Sequence, residues 1–271
     1  MNFHKLFEAA QSGNRDAFFN VLKENIPCKL YKYVCLDGSQ NDDLKFLSLE
    51  QNSLWISNIK AFNDPFEFKG IILDKRKFKE YGYSDEVIQK YSNSIDFSEE
   101  YGVCCLSNTT TSCLPMWAYY ANAHQGFCIE YEILNKDHIF EVLYEERRIK
   151  IFNSFCELAS ELNKLASNNS SFDEKKANSS GLMLFTKMLI KSNNWSHEKE
   201  FRIIYPLNDN SGENISIDLL GLKVIKIIGG YNCSIENINK LNKISKRITG
   251  SNAYKIVISE TDFATIEQIV E

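Results

Sequence analysis

Two glutamates stand two positions apart in the segment NNWSHEKEFRIIY, residues 193–205. A strand beginning at Lys199 would point Glu198 and Glu200 to the same side, because side chains alternate along a strand with a period of two. Carboxylates placed in this way can bind a cation, hold a sugar hydroxyl or pair with Arg202. A solvated strand edge with a Glu–Arg pair has the same pattern, so the surrounding elements must decide which chemistry applies.

Two further stretches carry residues that a plain core does not require. In the strand predicted after the first proline, alternation puts Tyr31 and Tyr33 on one face and Lys32 on the other. Farther along, Asn63 and Asp64 precede a proline and predict a turn, because their side chains hydrogen-bond to their own backbone and proline fixes φ. This turn is either a tight loop anchored by the flanking phenylalanines or the rim of a binding pocket.

A fourth stretch, MWAYYANAHQGFCIEY, predicts a helix beginning near Pro115 that is followed by a strand. Trp117, Tyr120 and His124 fall near one face of that helix. An aromatic stripe at helical spacing is typical of a core. His124, however, lies beside Gly126 where the helix passes into the strand, and such junctions commonly meet ligands. The sequence offers no partner that would make this histidine a general base.

Composition limits the classes of function. The 271 residues carry a net charge of −5, which argues against a broad nucleic-acid-binding face but leaves room for a local basic groove. No apolar run is long enough to predict a membrane span. The N-terminal segment lacks the basic-then-apolar layout of a secretory signal, so a cytoplasmic location is expected.

The eight cysteines are expected to be reduced and mostly buried, because Cys35, Cys104, Cys105 and Cys128 lie in apolar, strand-like runs. No CxxC pair and no HExxH motif occurs, so no metal site is predicted. The glycine-rich fingerprints of common nucleotide-binding folds and the GxSxG motif of hydrolases are also absent.

The order of elements predicts an α+β fold with mixed, mainly antiparallel sheets and surrounding helices, because strands and helices do not alternate strictly. Residues 1–27 are predicted to form an N-terminal helical hairpin and residues 28–271 a single α+β domain. The polar segment 167–180 is predicted to be a mobile loop.

Five segments, in this order, resemble an uncharacterised bacterial family, domain of unknown function 2971. The combined FNDPFE, MWxxYA and WxxExExR patterns carry the resemblance, which spans roughly residues 30–205. The matching pieces are LYKY, LWISNIKAFNDPFE, GVCCLSN, MWAYYANAHQGFCIEYE and WSHEKEFRII.

The layout of that family is in turn similar to the ADP-ribosyltransferase superfamily. This similarity implies an ADP-ribosyltransferase-like fold and cleavage of the nicotinamide–ribose bond of NAD, with transfer of ADP-ribose to an unknown macromolecular or small-molecule acceptor, in the setting of a toxin or anti-phage defence. It implies that Glu200 stabilises the oxocarbenium-like state and that Glu198 orients the acceptor. The residues expected to hold NAD are Tyr31, Lys32, Tyr33, Asn63, Asp64, Trp117, Tyr120, His124 and Arg202.

The chain departs from the superfamily pattern at two places. Members commonly carry His or Arg on the first strand, where this chain offers Tyr31, Lys32 or Tyr33, and the choice stays open. No Ser-Thr-Ser motif occurs on the middle strand, and Ser57 and Ser107 are the nearest candidates.

Two other functions remain open. A metal-dependent nuclease would gather carboxylates around magnesium, although the EKE and EYE segments do not supply the E-x-K signature of such enzymes. A non-catalytic nucleotide-sensing or binding module would use the aromatic residues for recognition and the glutamates for structure. The carboxylates available to a nuclease are Asp64, Glu67, Glu130, Glu132, Glu198 and Glu200.

Overall fold

The computed structural model describes residues 3–96, 100–167, 170–207 and 212–271. Two short helices come first, α1 (Phe3–Gln11) and α2 (Arg15–Lys23), as the sequence predicts. The side chain of Asn14 caps α2 by accepting a hydrogen bond from the backbone N–H of Ala17, 3.1 Å away. The predicted boundary after residue 27 stays a prediction.

Strands and helices then follow in mixed order. The strands are β1 (Lys29–Val34), β2 (Ser53–Asn58), β3 (Ile71–Leu73), β4 (Tyr101–Ser107), β5 (Phe127–Ile133), β6 (Ile139–Glu141), β7 (Leu143–Glu145), β8 (Ile149–Ile151), β9 (Ile190–Ser192), β10 (Glu200–Pro206), β11 (Glu213–Ser216), β12 (Leu222–Gly229), β13 (Tyr254–Ile258) and β14 (Thr265–Ile269). The helices are α3 (Asn41–Glu50), α4 (Lys75–Glu80), α5 (Asp85–Ser94), α6 (Leu114–Tyr120), α7 (Asn153–Ala166), α8 (Glu174–Phe185) and α9 (Ile235–Thr249), with 3₁₀ turns at Ile59–Ala61, Thr186–Leu189 and Asn193–Glu198.

The large sheet has the order β11-β2-β4-β1-β5-β12-β13-β14, and β10 joins β4 to β6. Its pairs are antiparallel except for β12 with β13, and two small parallel pairs, β3 with β8 and β7 with β9, lie outside it. The predicted α+β class with mainly antiparallel sheets is therefore confirmed. Over the described residues, no helix is long and apolar enough to cross a membrane.

The large sheet forks at β4. One edge of β4 pairs with β10 along its whole length. The other edge is shared, because Ser57 of β2 pairs with Val103 near one end and Tyr31 of β1 pairs with Ser107 at the other. Residues 104–106 lie between these two pairings. The side chain of Lys32 fills part of this gap, and its Nζ donates to the carbonyl oxygen of Cys105 at 3.2 Å.

Different helices pack against the two faces of the forked sheet. Tyr31 and Tyr33 share one face with Ser107, and this face packs against α6. Lys32 points to the opposite face with its register partner Ile129, and that face packs against α3 and α9. A ligand that lies in the fork can therefore reach both faces.

Several local predictions were wrong. The mobile loop predicted at 167–180 is helical from Glu174 onward, because Asp173 caps α8 by accepting from the N–H of Lys176 at 3.1 Å; residues 168–169 lie outside the described residues. The strand predicted to begin at Lys199 begins at Glu200, since Lys199 has a left-handed φ of 44°. Four further strands, β3, β9, β11 and β14, were not predicted from the sequence.

All eight cysteines are free, as predicted. The prediction that most of them are buried was wrong. Cys104, Cys128 and Cys233 are buried, Cys28 is exposed, and the other four are partly buried.

Candidate functional site

A cleft of about 880 Å³ occupies the fork of the sheet. We call it the fork cleft. Its walls come from β1, α3, β2, the turn after β2, β4, α6, β5, β9 and the junction of the last 3₁₀ turn with β10. Seven of the residues predicted from the sequence line it, namely Tyr31, Lys32, Tyr33, Asn63, Tyr120, Glu198 and Glu200.

Both glutamates form ion pairs with the same lysine. Lys191 Nζ lies 2.6 Å from Glu198 Oε2 and 2.8 Å from Glu200 Oε2, and all three side chains are buried. The glutamates converge because Glu198 ends a 3₁₀ turn and the left-handed Lys199 turns the chain into β10. They share a side as predicted, but through this turn rather than through strand alternation.

Arg202 lies behind Glu200 and is fully buried. Its Nε donates to Glu200 Oε1 at 2.8 Å, its Nη2 lies 2.7 Å from Glu67 Oε1, and its Nη1 donates to the carbonyl oxygen of Met188. Arg202 is not among the residues that line the cleft. The predicted contact of Arg202 with NAD has no support in this placement, and Arg202 instead positions Glu200.

The environments of the two glutamates shift their pKa values in opposite directions. Burial acts to raise the pKa of Glu200, but the charges of Arg202 and Lys191 outweigh it and hold that pKa well below the ordinary value. Burial raises the pKa of Glu198 despite its contact with Lys191. Burial would lower the pKa of Lys191, yet the two carboxylates raise it, so the lysine stays charged.

Hydrogen bonds from neighbouring elements fix this cluster. The hydroxyl of Tyr120, on α6, donates to Glu198 Oε1. Ser107 Oγ donates to the backbone carbonyl of Glu198 at 2.6 Å, and the backbone N–H of Glu200 donates to the hydroxyl of Tyr144 at 2.8 Å. Both acids are therefore held in place by three separate strands and helices.

Three other predicted residues lie outside the cleft lining. Trp117 is buried beneath Tyr33, with ring centroids 5.2 Å apart, and its Nε1 donates to the carbonyl oxygen of Thr111 at 2.7 Å. The His124 ring stacks on the Trp117 ring, with the two centroids 6.0 Å apart. Asp64 closes its own turn by accepting from the N–H of Phe66 at 2.9 Å.

The turn around Asp64 serves both of the roles left open by the sequence. Asp64 is buried and makes the turn tight, while Phe62 and Asn63 on its leading side line the cleft. Asp64 is thus a structural residue at the rim of the fork cleft.

The sequence interpretation missed Lys191, the cation between the two acids. Lys191 ends the apolar run LMLFTKMLIK, and a buried lysine must be paired with a carboxylate or another acceptor. That signal could have identified it. The cleft is also lined by Trp55, Phe62 and Cys105, which are not among the predicted site residues.

Two of the carboxylates proposed for a nuclease lie away from the cleft. Glu130 pairs with Lys29 at 2.8 Å and does not line the cleft, and Glu132 lies beside Lys223 on an exposed part of β5. Within the described ranges, no group of three or more His, Cys, Asp or Glu side chains is arranged to hold a metal ion.

Comparison with known proteins gives one match. No curated protein and no solved structure matches the chain significantly. Residues 116–203, from α6 into β10, match the model of a family described as "Protein of unknown function (DUF2971)". This segment includes Tyr120, Lys191, Glu198 and Glu200. The resemblance to domain of unknown function 2971 is thus confirmed over residues 116–203.

Proposed function

We propose that the fork cleft binds NAD and that Glu198 and Glu200 promote cleavage of its nicotinamide–ribose bond, with transfer of ADP-ribose to an acceptor. One observation carries the proposal. Two glutamates with opposite pKa shifts line the same cleft as the aromatic strand β1. Such a pair of acids in different environments is a common basis for acid–base chemistry.

The cleft suits a ligand of this kind. Its volume of about 880 Å³ lies within the usual range of roughly 300–1,000 Å³ for small-molecule sites. Aromatic rings line it and can stack on a flat heterocycle. These rings belong to Tyr31, Tyr33, Trp55, Phe62, Tyr120, Phe127 and Tyr131.

Glu200 supplies fixed negative charge for the bond-breaking step. As the C–N glycosidic bond breaks, its electron pair leaves with neutral nicotinamide and positive charge develops on the ribose. Glu200 remains ionised because Arg202 holds it from behind. Lys191 and Arg202 balance the two carboxylates, so the Glu200 carboxylate would act on the developing sugar charge through its fixed position at short range.

Glu198 serves the acceptor. The acceptor heteroatom forms a new bond to the anomeric carbon and releases a proton, which the Glu198 carboxylate takes up. A raised pKa brings this carboxyl closer to working pH and makes it the better base of the pair. Tyr120 and Lys191 hold its two oxygens on either side.

The same geometry supports an ADP-ribosyltransferase-like arrangement of the fold. The resemblance implies an early strand with aromatic or polar residues, a middle strand with a turn, and a late strand led by glutamate. In this proposal β1 is the early strand, β2 with Ser57 or β4 with Ser107 is the middle strand, and β10 is the late strand; each contributes residues to the fork cleft.

Nicotinamide release from NAD by the purified protein tests the proposal. We expect Glu200→Gln to lower kcat by about 10²-fold or more, the effect of removing one charge-stabilising group, and Glu198→Gln to lower transfer to the acceptor. Glu132→Gln, on an exposed part of the same sheet, is the matched control and should leave turnover unchanged. Circular dichroism verifies that each variant is folded. A folded wild-type protein that neither binds nor cleaves NAD would refute the proposal.

One feature favours a second function, a non-catalytic nucleotide-binding module. Both oxygens of Glu200 already accept hydrogen bonds from cationic side chains, as in a purely structural ion-pair network. Calorimetry that detects NAD binding, together with no nicotinamide release, would support the binding module in place of the enzyme.

A further inference from the structure

The fork cleft extends to both faces of the sheet. On the α6 face its wall is formed by Tyr31, Tyr33 and Glu200. On the opposite face the same cavity continues under α3, where Leu49 and Ile129 belong to the main core cluster. We call these two parts the acid lobe and the α3 lobe.

The α3 lobe is built differently from the acid lobe. Its walls are mainly apolar, with Leu49, Leu54, Phe127 and Ile129 buried against one another. At its mouth stands Leu44, which is 60% exposed. Asn41, Lys45 and Ser48 of α3 add polar groups to this lining. A mainly apolar wall with some polar side chains fits a flat heterocyclic ring, whereas no described residue of this lobe supplies an acid for chemistry on a sugar.

Lys32 stands where the two lobes meet. Its backbone belongs to β1, and its Nζ lies in the fork, 3.2 Å from the carbonyl oxygen of Cys105. An ammonium group has three N–H donors, so with the Cys105 carbonyl and the Cys104 sulfur as partners one donor remains for an anionic ligand. Burial acts to lower the pKa of Lys32, but the sulfur atoms of Cys104 and Cys105 and the Glu200 carboxylate raise it on balance, so the side chain stays cationic.

We infer that the ligand passes through the fork: its reacting ribose and nicotinamide lie in the acid lobe, Lys32 contacts its anionic linker, and its second heterocycle occupies the α3 lobe. This inference rests on the proposed function and adds a selectivity to it. The protein should prefer a dinucleotide to either mononucleotide, because only a dinucleotide fills both lobes. AMP should enter the α3 lobe and nicotinamide mononucleotide the acid lobe.

Two exposed leucines on α3 provide a matched pair of variants. Leu44 lines the cleft, whereas Leu47, 46% exposed on the same helix, does not. We expect Leu44→Trp to obstruct the α3 lobe and to weaken binding of NAD and AMP by roughly tenfold, the value of one lost ring contact. Binding of nicotinamide mononucleotide should be unchanged, and Leu47→Trp should bind all three ligands like the wild type.

A competition experiment on the wild-type protein needs no variant. Isothermal titration with AMP in the presence of saturating nicotinamide mononucleotide should still show AMP binding, because the two ligands occupy separate lobes. If the ligands exclude each other, or if Leu44→Trp leaves NAD binding unchanged or weakens all three ligands alike, the two-lobe arrangement is wrong while NAD turnover can still stand. If the wild type binds none of the three, the proposed function itself fails.

Discussion

Lys191 decides the electrostatics of the site, since it alone contacts both Glu198 and Glu200 among the described side chains. Removing one partner of a buried ion pair leaves uncompensated charge in a low-dielectric environment. We therefore expect Lys191→Met to lower the free energy of unfolding by about 3 kcal/mol, measured by urea denaturation. Lys223→Met removes an exposed partner of Glu132, 3.9 Å away, and should change stability by less than about 0.5 kcal/mol. Equal effects of the two variants would contradict this assignment.

The opposite pKa shifts of the two acids predict opposite dependences of stability on pH. The depressed pKa of Glu200 gives stability that is present above its unfolded pKa and is lost as pH falls through its folded pKa. The stability contribution of Glu198 has the opposite pH dependence, because its raised pKa means that the folded state holds the proton more tightly than the unfolded state does. Stability therefore falls as pH rises from the unfolded to the folded pKa of Glu198.

Glu198→Gln removes only the second of these dependences. Unfolding free energies measured from acid to neutral pH should show the variant gaining stability relative to the wild type as pH rises through that window. A difference that does not vary with pH would mean that Glu198 has the same pKa in the folded and unfolded states.

At the residue scale, strand alternation placed Tyr31 and Tyr33 on one face, and both line the cleft. It paired Glu198 and Glu200 for the wrong reason, because the left-handed Lys199 brings them together. The same reasoning could not place Arg202, because period two gives the direction of a side chain but not its depth beneath a neighbouring element. Lys191 was missed for a related reason. Its partners follow seven and nine positions later, across a 3₁₀ turn whose geometry depends on tertiary contacts.

At the scale of elements, the segment after α6 is strained. Asn122, Ala123 and His124 all have positive φ, at 46°, 49° and 68°, a conformation that costs non-glycine residues roughly 1–2 kcal/mol each. The strain is held by long-range hydrogen bonds, from Asn122 Nδ2 to the carbonyl oxygen of Leu36 at 2.8 Å and from the N–H of Asn232 to the carbonyl oxygen of His124 at 3.0 Å. This turn sets the position of α6 and hence of Tyr120 over Glu198.

A glycine substitution inside the turn and one in the preceding helix α6 should change the free energy of unfolding in opposite directions. Ala123→Gly should stabilise the protein by roughly 0.5–1 kcal/mol, because glycine adopts the left-handed conformation without a steric penalty. Ala118→Gly, at an exposed position inside α6, should destabilise it by about 1 kcal/mol. Thermal or urea unfolding of both variants provides the comparison, and destabilisation by Ala123→Gly would argue against a strained turn.

The fork is the element-scale feature that the sequence could not reveal. β4 reads as one apolar strand, YGVCCLS, and nothing local indicates that β1 and β2 share one of its edges. The pairing is non-local, so neither propensity nor periodicity encodes it. The mistaken loop at 167–180 overlooked the cap at Asp173, which is a local signal that the sequence carries.

At the scale of the whole molecule, the N-terminal helices share a core with the sheet. Leu6, Ala10, Phe18 and Leu22 are each 0% exposed, and they belong to one hydrophobic cluster with Ile204 of β10. Burial of this extent in a common cluster predicts that the hairpin and the sheet unfold together, even though the sequence pattern alone suggests a separate unit over residues 1–27.

Tryptophan fluorescence can test this coupling because the chain has three tryptophans and none lies in the hairpin. Trp55 lines the cleft, Trp117 packs on Tyr33, and Trp195 lies 5.2 Å from Lys191 Nζ. Phe18→Ala should therefore destabilise the tryptophan-detected transition by about 3–5 kcal/mol, the cost of a large core truncation.

Phe263→Ala, at a fully exposed position, should leave that transition unchanged. If Phe18→Ala also left it unchanged while hairpin helicity was lost at lower urea, the hairpin would be an independent unit. A single shifted transition in both signals would instead show that packing of the N-terminal helices supports the sheet that forms the fork cleft.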